Sequence, residues 1–154
     1  YGYELTAESQ LRPFYEKASS HTLFFLPKMV VVFIEFEGRY VIAPATAYQH
    51  FDRTKTVYVV STYRLGDDPA RPAKLALHEI LEIAFENHGK SNIHCTERSC
   101  ILHQAPGTVG YSHVGNEDVF YEDLLDEIDE IEGLCNIHMS MFNKIKRMRR
   151  KITV

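Results

Sequence analysis

With 154 residues, 45% of them hydrophobic, the chain can bury one core and is too short to need a second domain, so residues 1–154 read as a single domain. A formal net charge of -4 argues against a dedicated nucleic-acid binder, because such domains carry a basic excess. No secretory pattern and no bilayer-spanning run is present, since Leu23 to Phe36 is broken by Pro27, Lys28 and Glu35, which argues against a membrane role.

In chain order, Tyr3 to Lys17 carries a scattered apolar stripe (Leu5, Leu11, Phe14, Tyr15) and suggests a short helix. Met29 to Phe36 is rich in β-branched and aromatic residues, turns at Glu37, Gly38 and Arg39, and returns as Tyr40 to Ile42, which predicts a hairpin ended by Pro44. Thr56 to Tyr63 is a further strand, and Gly66, Asp67, Asp68 and Pro69 form a loop. The spacing of Leu77, Leu81 and Ala84, with Ile80 and Phe85 beside them, predicts a helix over Ala73 to His88 with Gly89 as its C-cap. Another line of that helix holds His78, Glu82 and Glu86, each four residues apart and therefore stacked. Asn116 to Ile131 reads as a second amphipathic helix, with Phe120, Leu124, Ile128 and Ile131 inward and Gly133 beyond its end. A third covers His138 to Arg149, with Met141 or Phe142, Ile145 and Met148 inward. The acidic stretch Glu117 to Glu132 and the basic run Lys144 to Lys151 read as solvated helix faces.

Cys95 and Cys100 stand five apart, and Cys135-Asn-Ile-His138 is a knuckle before a helix. Three thiolates and one imidazole complete a tetrahedral shell for a structural zinc ion, which would staple the C-terminal helix to the loop after the His78 helix. Three closely spaced cysteines with histidines nearby suit metal binding in a reducing, intracellular compartment, the cytoplasm or an organelle matrix, better than disulfides. The chain begins at Tyr1 rather than Met, which leaves room for an upstream targeting segment.

His78-Glu79-x-x-Glu82 reads HExxE, one exchange from HExxH, in which two ligands one helical turn apart hold zinc and the intervening Glu is the general base. His78, Glu82 and a later histidine would make a shell of two histidines and one glutamate with one position left open. An ordinary solvated stripe has the same letters, so the motif alone leaves both readings standing. His21, His50, His103 and His113 have no partner spacing and read as hydrogen-bonding residues.

The stretch Val57 to Cys100, VYVVSTYRLGDDPARPAKLALHEILEIAFENHGKSNIHCTERSC, resembles the archaemetzincins, small zinc metallopeptidases of the metzincin clan. In that family a strand and loop lead into HExxHxxGxxHC, four residues and another Cys, and a later CxxC completes a second zinc site. The resemblance covers Ala45 to Met148 and implies an α/β metzincin-like zincin, with a mixed twisted sheet, an active-site helix beneath a cleft and the stapled C-terminal helix. It makes His78 the first catalytic zinc ligand, Glu79 the general base and His94 the third ligand, with Glu82 in place of the second histidine. Cys95, Cys100, Cys135 and His138 match the second site, His138 replacing its last Cys.

Other departures are Phe85 for the helix-ending glycine, Leu102 for a methionine, and a longer gap to His94, whereas His88 stands at the family's spacing but lacks the following Cys. A carboxylate ligand lowers the charge at the metal and should weaken activity. The implied function is aminopeptidase-like hydrolysis of peptides by zinc-activated water, the strand Val57 to Tyr63 holding the substrate by edge pairing. The alternative is a degenerate, inactive domain that keeps the structural zinc and serves as an interaction module for protein partners in a larger assembly. A zinc-ribbon nucleic-acid binder has only the basic C-terminal run behind it.

Overall fold

The computed structural model describes residues 11–34, 38–49, 53–90, 93–103 and 117–152. The first part of the expected N-terminal helix, the hairpin turn at Glu37, the Asn116 cap, His50 and His113 lie outside the described residues. The architecture is mixed α/β: a mixed three-stranded sheet, a two-stranded extension and four helices.

The sheet contains β1 (Thr22–Leu26), β4 (Ala45–Gln49) and β5 (Thr56–Ser61) in the order β1-β5-β4, with β1 parallel and β4 antiparallel to β5. The hairpin forms as expected from β2 (Val31–Ile34) and β3 (Arg39–Ile42), with Val32 opposite Val41. It connects the Leu26 end of β1 to the Ala45 start of β4, both beside the Ser61 end of β5, and the Ala43 amide donates to the Val30 carbonyl at 2.9 Å.

Every residue of β5 is buried, which a strand covered on both faces requires. Its side chains alternate. Val57 and Val59 pack with Leu11, Phe14 and Tyr15 of α1 (described over residues 11–17), while Val60 packs with Leu75 and Ala76 of α2 (Ala70–Glu86) and with Phe120, Leu124 and Ile128 of α3 (Glu117–Glu130). Because β1 and β4 occupy both sides of β5, that strand has no edge to offer a peptide. This corrects the expectation for Val57 to Tyr63: the outer side of β4 has no strand partner among the described residues, and β4 also packs beside α2.

Asp68 Oδ1 accepts the Ala70 amide at 2.9 Å in an Asx turn that leads into α2. At the other end Gly89 adopts φ +71°, its amide reaches the Glu86 carbonyl at 2.9 Å and that of Lys90 reaches Phe85 at 3.1 Å. This is a Schellman cap. Phe85 is buried as expected, but the inward face of α2 otherwise differs from the expected stripe: Leu75 and Ala76 are buried, whereas Leu77 is 46% exposed. The helix meets one cluster near its start and another, around Phe85, near its end, so its buried surface winds around it instead of following one line. In α4 (Asn136–Ile152) Ile145 is buried and Met141 and Phe142 both pack inward, but Met148 is 56% exposed, one turn past the loop that covers its neighbours.

Candidate metal centres

Residues 93–103 fold into a compact loop under the C-terminal half of α2. The Cys95 amide donates to the Leu102 carbonyl at 2.8 Å, and those of Cys100 and His103 close turns onto Glu97 and Cys100. Ile101 N–H to Gly133 and Glu132 N–H to Ser99, at 2.7 and 2.9 Å, stitch the loop to the segment that enters α4. That segment carries Cys135, and His138 occupies the first turn of α4.

The ligand atoms of Cys95, Cys100, Cys135 and His138 all lie within 4.8 Å of one another. Cys95 Sγ is 3.8 Å from Cys135 Sγ, and His138 Nδ1 is 3.7 Å from Cys100 Sγ and 3.0 Å from Cys135 Sγ. A zinc–sulfur bond of about 2.3 Å in a tetrahedron sets sulfur–sulfur edges near 3.8 Å, whereas a disulfide needs about 2.05 Å. The thiols are free. Backbone amides of Glu97 and Cys135 point at the sulfurs of Cys95 and Cys100, each at 3.4 Å, a direction that favours thiolate. Burial pushes the Cys100 thiol up to about 11. For Cys135 burial pushes the same way but is outweighed by the His138 amide and neighbouring groups, so its thiol falls below the ordinary value. Three crowded sulfurs cannot all ionise without a cation among them. The donor set therefore fits a structural metal such as zinc, held by three sulfurs and one imidazole.

The second group forms on α2, where His78 and Glu82 are one turn apart, and His94 arrives from the loop. Its ligand atoms also fall within 4.8 Å of one another. The Nε2 atoms of His78 and His94 stand 3.3 and 3.6 Å from the two oxygens of Glu82, and the rings stack at 5.8 Å. His78 Nδ1 is 2.7 Å from the Ile101 carbonyl oxygen, which only accepts, so this nitrogen carries the proton. In the neutral ring Nε2 then presents a lone pair to a carboxylate, and only a proton or a cation between them makes that contact favourable.

The charges reflect this arrangement. Burial opposes ionisation of Glu82, but the imidazoles of His78 and His94 beside it hold the carboxyl down at about 2. Burial likewise disfavours a charged His78, yet Glu82, Glu79 and the Ile101 carbonyl together raise it. Glu79 is different: burial pushes its carboxyl up to about 7, in the range of a general base at neutral pH.

Despite the longer gap, His94 stands with His78 and Glu82. His88 stays on the helix end, its Nδ1 2.9 Å from the Ala84 carbonyl, and takes no part in the group. His21 is a hydrogen-bonding residue as expected, accepting the Thr56 amide at 2.9 Å. Sequence reasoning passed over two residues that line the cleft beside His78 and Glu79, namely His103 and Glu127. Nothing in their spacing marks them: His103 stands alone, and Glu127 is one of many carboxylates on an acidic helix.

No protein-family model, curated protein or solved structure matches this chain. The resemblance to archaemetzincins thus rests on the order and spacing of the motif residues. No helix among the described residues is long and apolar enough to cross a membrane.

Proposed function

We propose that this chain is an archaemetzincin-like zinc metallopeptidase domain of metzincin type, hydrolysing peptides from their amino termini in a reducing intracellular compartment. His78, Glu82 and His94 hold the reactive zinc, while Cys95, Cys100, Cys135 and His138 hold the structural one. The observation that carries this reading is the proton on His78 Nδ1, fixed by the Ile101 carbonyl, which leaves Nε2 facing the Glu82 carboxylate beside His94. A zinc ion bound there supplies Lewis acidity toward the scissile carbonyl and the attacking water. Glu79 takes the proton of that water and delivers it to the departing amine. The side of β4 that has no strand partner among the described residues would offer main-chain groups to an extended peptide, since Pro44 and Ala45 at its start line the same cleft as His78 and Glu79.

The test is the metal content and the reaction together. Two zinc ions per chain, with one lost in His78→Ala, and peptide cleavage lost in Glu79→Gln with both ions kept, are the expected results. One ion per chain, insensitive to His78, removes the reading.

The second reading, an inactive interaction module built around the four-ligand zinc, is favoured by one feature. Glu82 pairs with both histidines, so the group can close on itself through protonated imidazoles without an ion.

A further inference from the structure

Helix α3 is acidic over most of its length, but Glu127 faces the cleft that His78 and Glu79 also line. Its side chain is only 18% exposed, and Oε2 is buried with no hydrogen-bond partner. His103 Nε2 is 3.9 Å away, too far for a hydrogen bond, and its ring is tethered by Nδ1, which sits 3.0 Å from the Cys95 carbonyl oxygen. Neighbouring cations are engaged elsewhere: Arg98 binds Glu130 through two bonds of 2.6 and 2.8 Å, and Lys74 donates to the Ile128 carbonyl at 3.0 Å. A largely desolvated carboxylate lacking a donor is costly, and a cationic donor arriving through the cleft removes that cost.

We infer that Glu127, backed by His103, receives the α-ammonium group of a peptide substrate and so restricts the site to unblocked amino termini. The inference rests on the proposed reading of His78, Glu82 and His94 as a zinc site. An α-amine is one carbon from its own carbonyl, and Glu127 lines the same cleft as His78 and Glu79. Leu75 and Ile128, also lining the cleft, give the first side chain apolar contact.

The experiment compares leucine hydroxamate, which carries a free amine beside a zinc-chelating group, with its N-acetyl form on the zinc-loaded chain. The parent should bind the free-amine probe at least about tenfold tighter, the effect of one charge-assisted hydrogen bond. Glu127→Gln should erase that preference while leaving the zinc content and the affinity for the N-acetyl form unchanged, and should not lower the melting temperature, since it removes an unpaired buried charge. A preference that survives in Glu127→Gln, or is absent from a parent that holds two zinc ions and binds both probes, overturns the role of Glu127 alone. A parent that holds one zinc ion and binds neither probe overturns the zinc-site reading, and this inference with it.

Discussion

The Nδ1 of His78 and the carbonyl oxygen of Ile101 are 2.7 Å apart, and Ile101 directly follows Cys100. The residue that orients the first candidate ligand of one centre is therefore a chain neighbour of a ligand of the other. His94 and Cys95 repeat the relationship.

Removing the metal from the four-ligand centre should therefore be felt at both. Cys135→Ala or treatment with a strong chelator is expected to lower the melting temperature by roughly 10 °C or more, since metal binding contributes directly to folding. Zinc content measured alongside should fall at both centres. An unchanged melting temperature after complete zinc removal would show that these side chains hold no structural ion.

At the His78 centre the two substitutions should separate. His78→Ala is expected to lose one ion with only a modest change in stability. Glu79→Gln should keep that ion and lower the rate of peptide cleavage at least about 10²-fold, the lower range for a general base. Equal loss of metal in both variants would place Glu79 among the ligands instead.

Gly89 closes the C-terminal cap of α2. Its φ of +71° disfavours any side chain, although nothing lies within 4 Å of an added Cβ. Gly89→Ala should cost about 1–2 kcal/mol in urea unfolding, from backbone strain alone. Gly89→Asn should cost less, because Asn tolerates the left-handed region.

The Arg71–Asp129 pair joins α2 to α3 through two bonds of 2.9 and 2.8 Å. Hydrogen bonding from the Arg71 guanidinium holds the Asp129 carboxyl below its ordinary value. Its stabilising contribution is thus present above the usual carboxylate range and is lost as the pH falls through the lowered folded value. Asp129→Asn should melt slightly below the parent at pH 7, and the difference should shrink as the pH falls below the usual carboxylate range. Both side chains are partly exposed, which keeps the effect small.

Features with local signals were legible in the sequence. The periodicity of α2, its glycine stop, the β2–β3 hairpin and the β-rich run of β5 can each be read within one window. β1 and β4 were not. TLFFL lies in an apolar run next to Pro27, and ATAYQ has little intrinsic preference for a strand, so both owe their form to pairing with β5. The same division holds at the site. His78 and Glu82 are one helical turn apart, and Cys135 and His138 form one knuckle, so local spacing exposes them. The choice between His88 and His94 depends on how the chain leaves the helix cap, and the approach of His103 to Glu127 joins a loop to a helix distant in sequence.

If both groups hold zinc as proposed, the adjacency of His94 to Cys95 has a consequence for the order in which they fill. A newly synthesised chain short of zinc would fill the richer set of donors first, and only that event would bring the histidine of the second centre to its post. Scarcity of the metal would then yield a population that is fully folded yet chemically idle, rather than a mixture of half-built molecules.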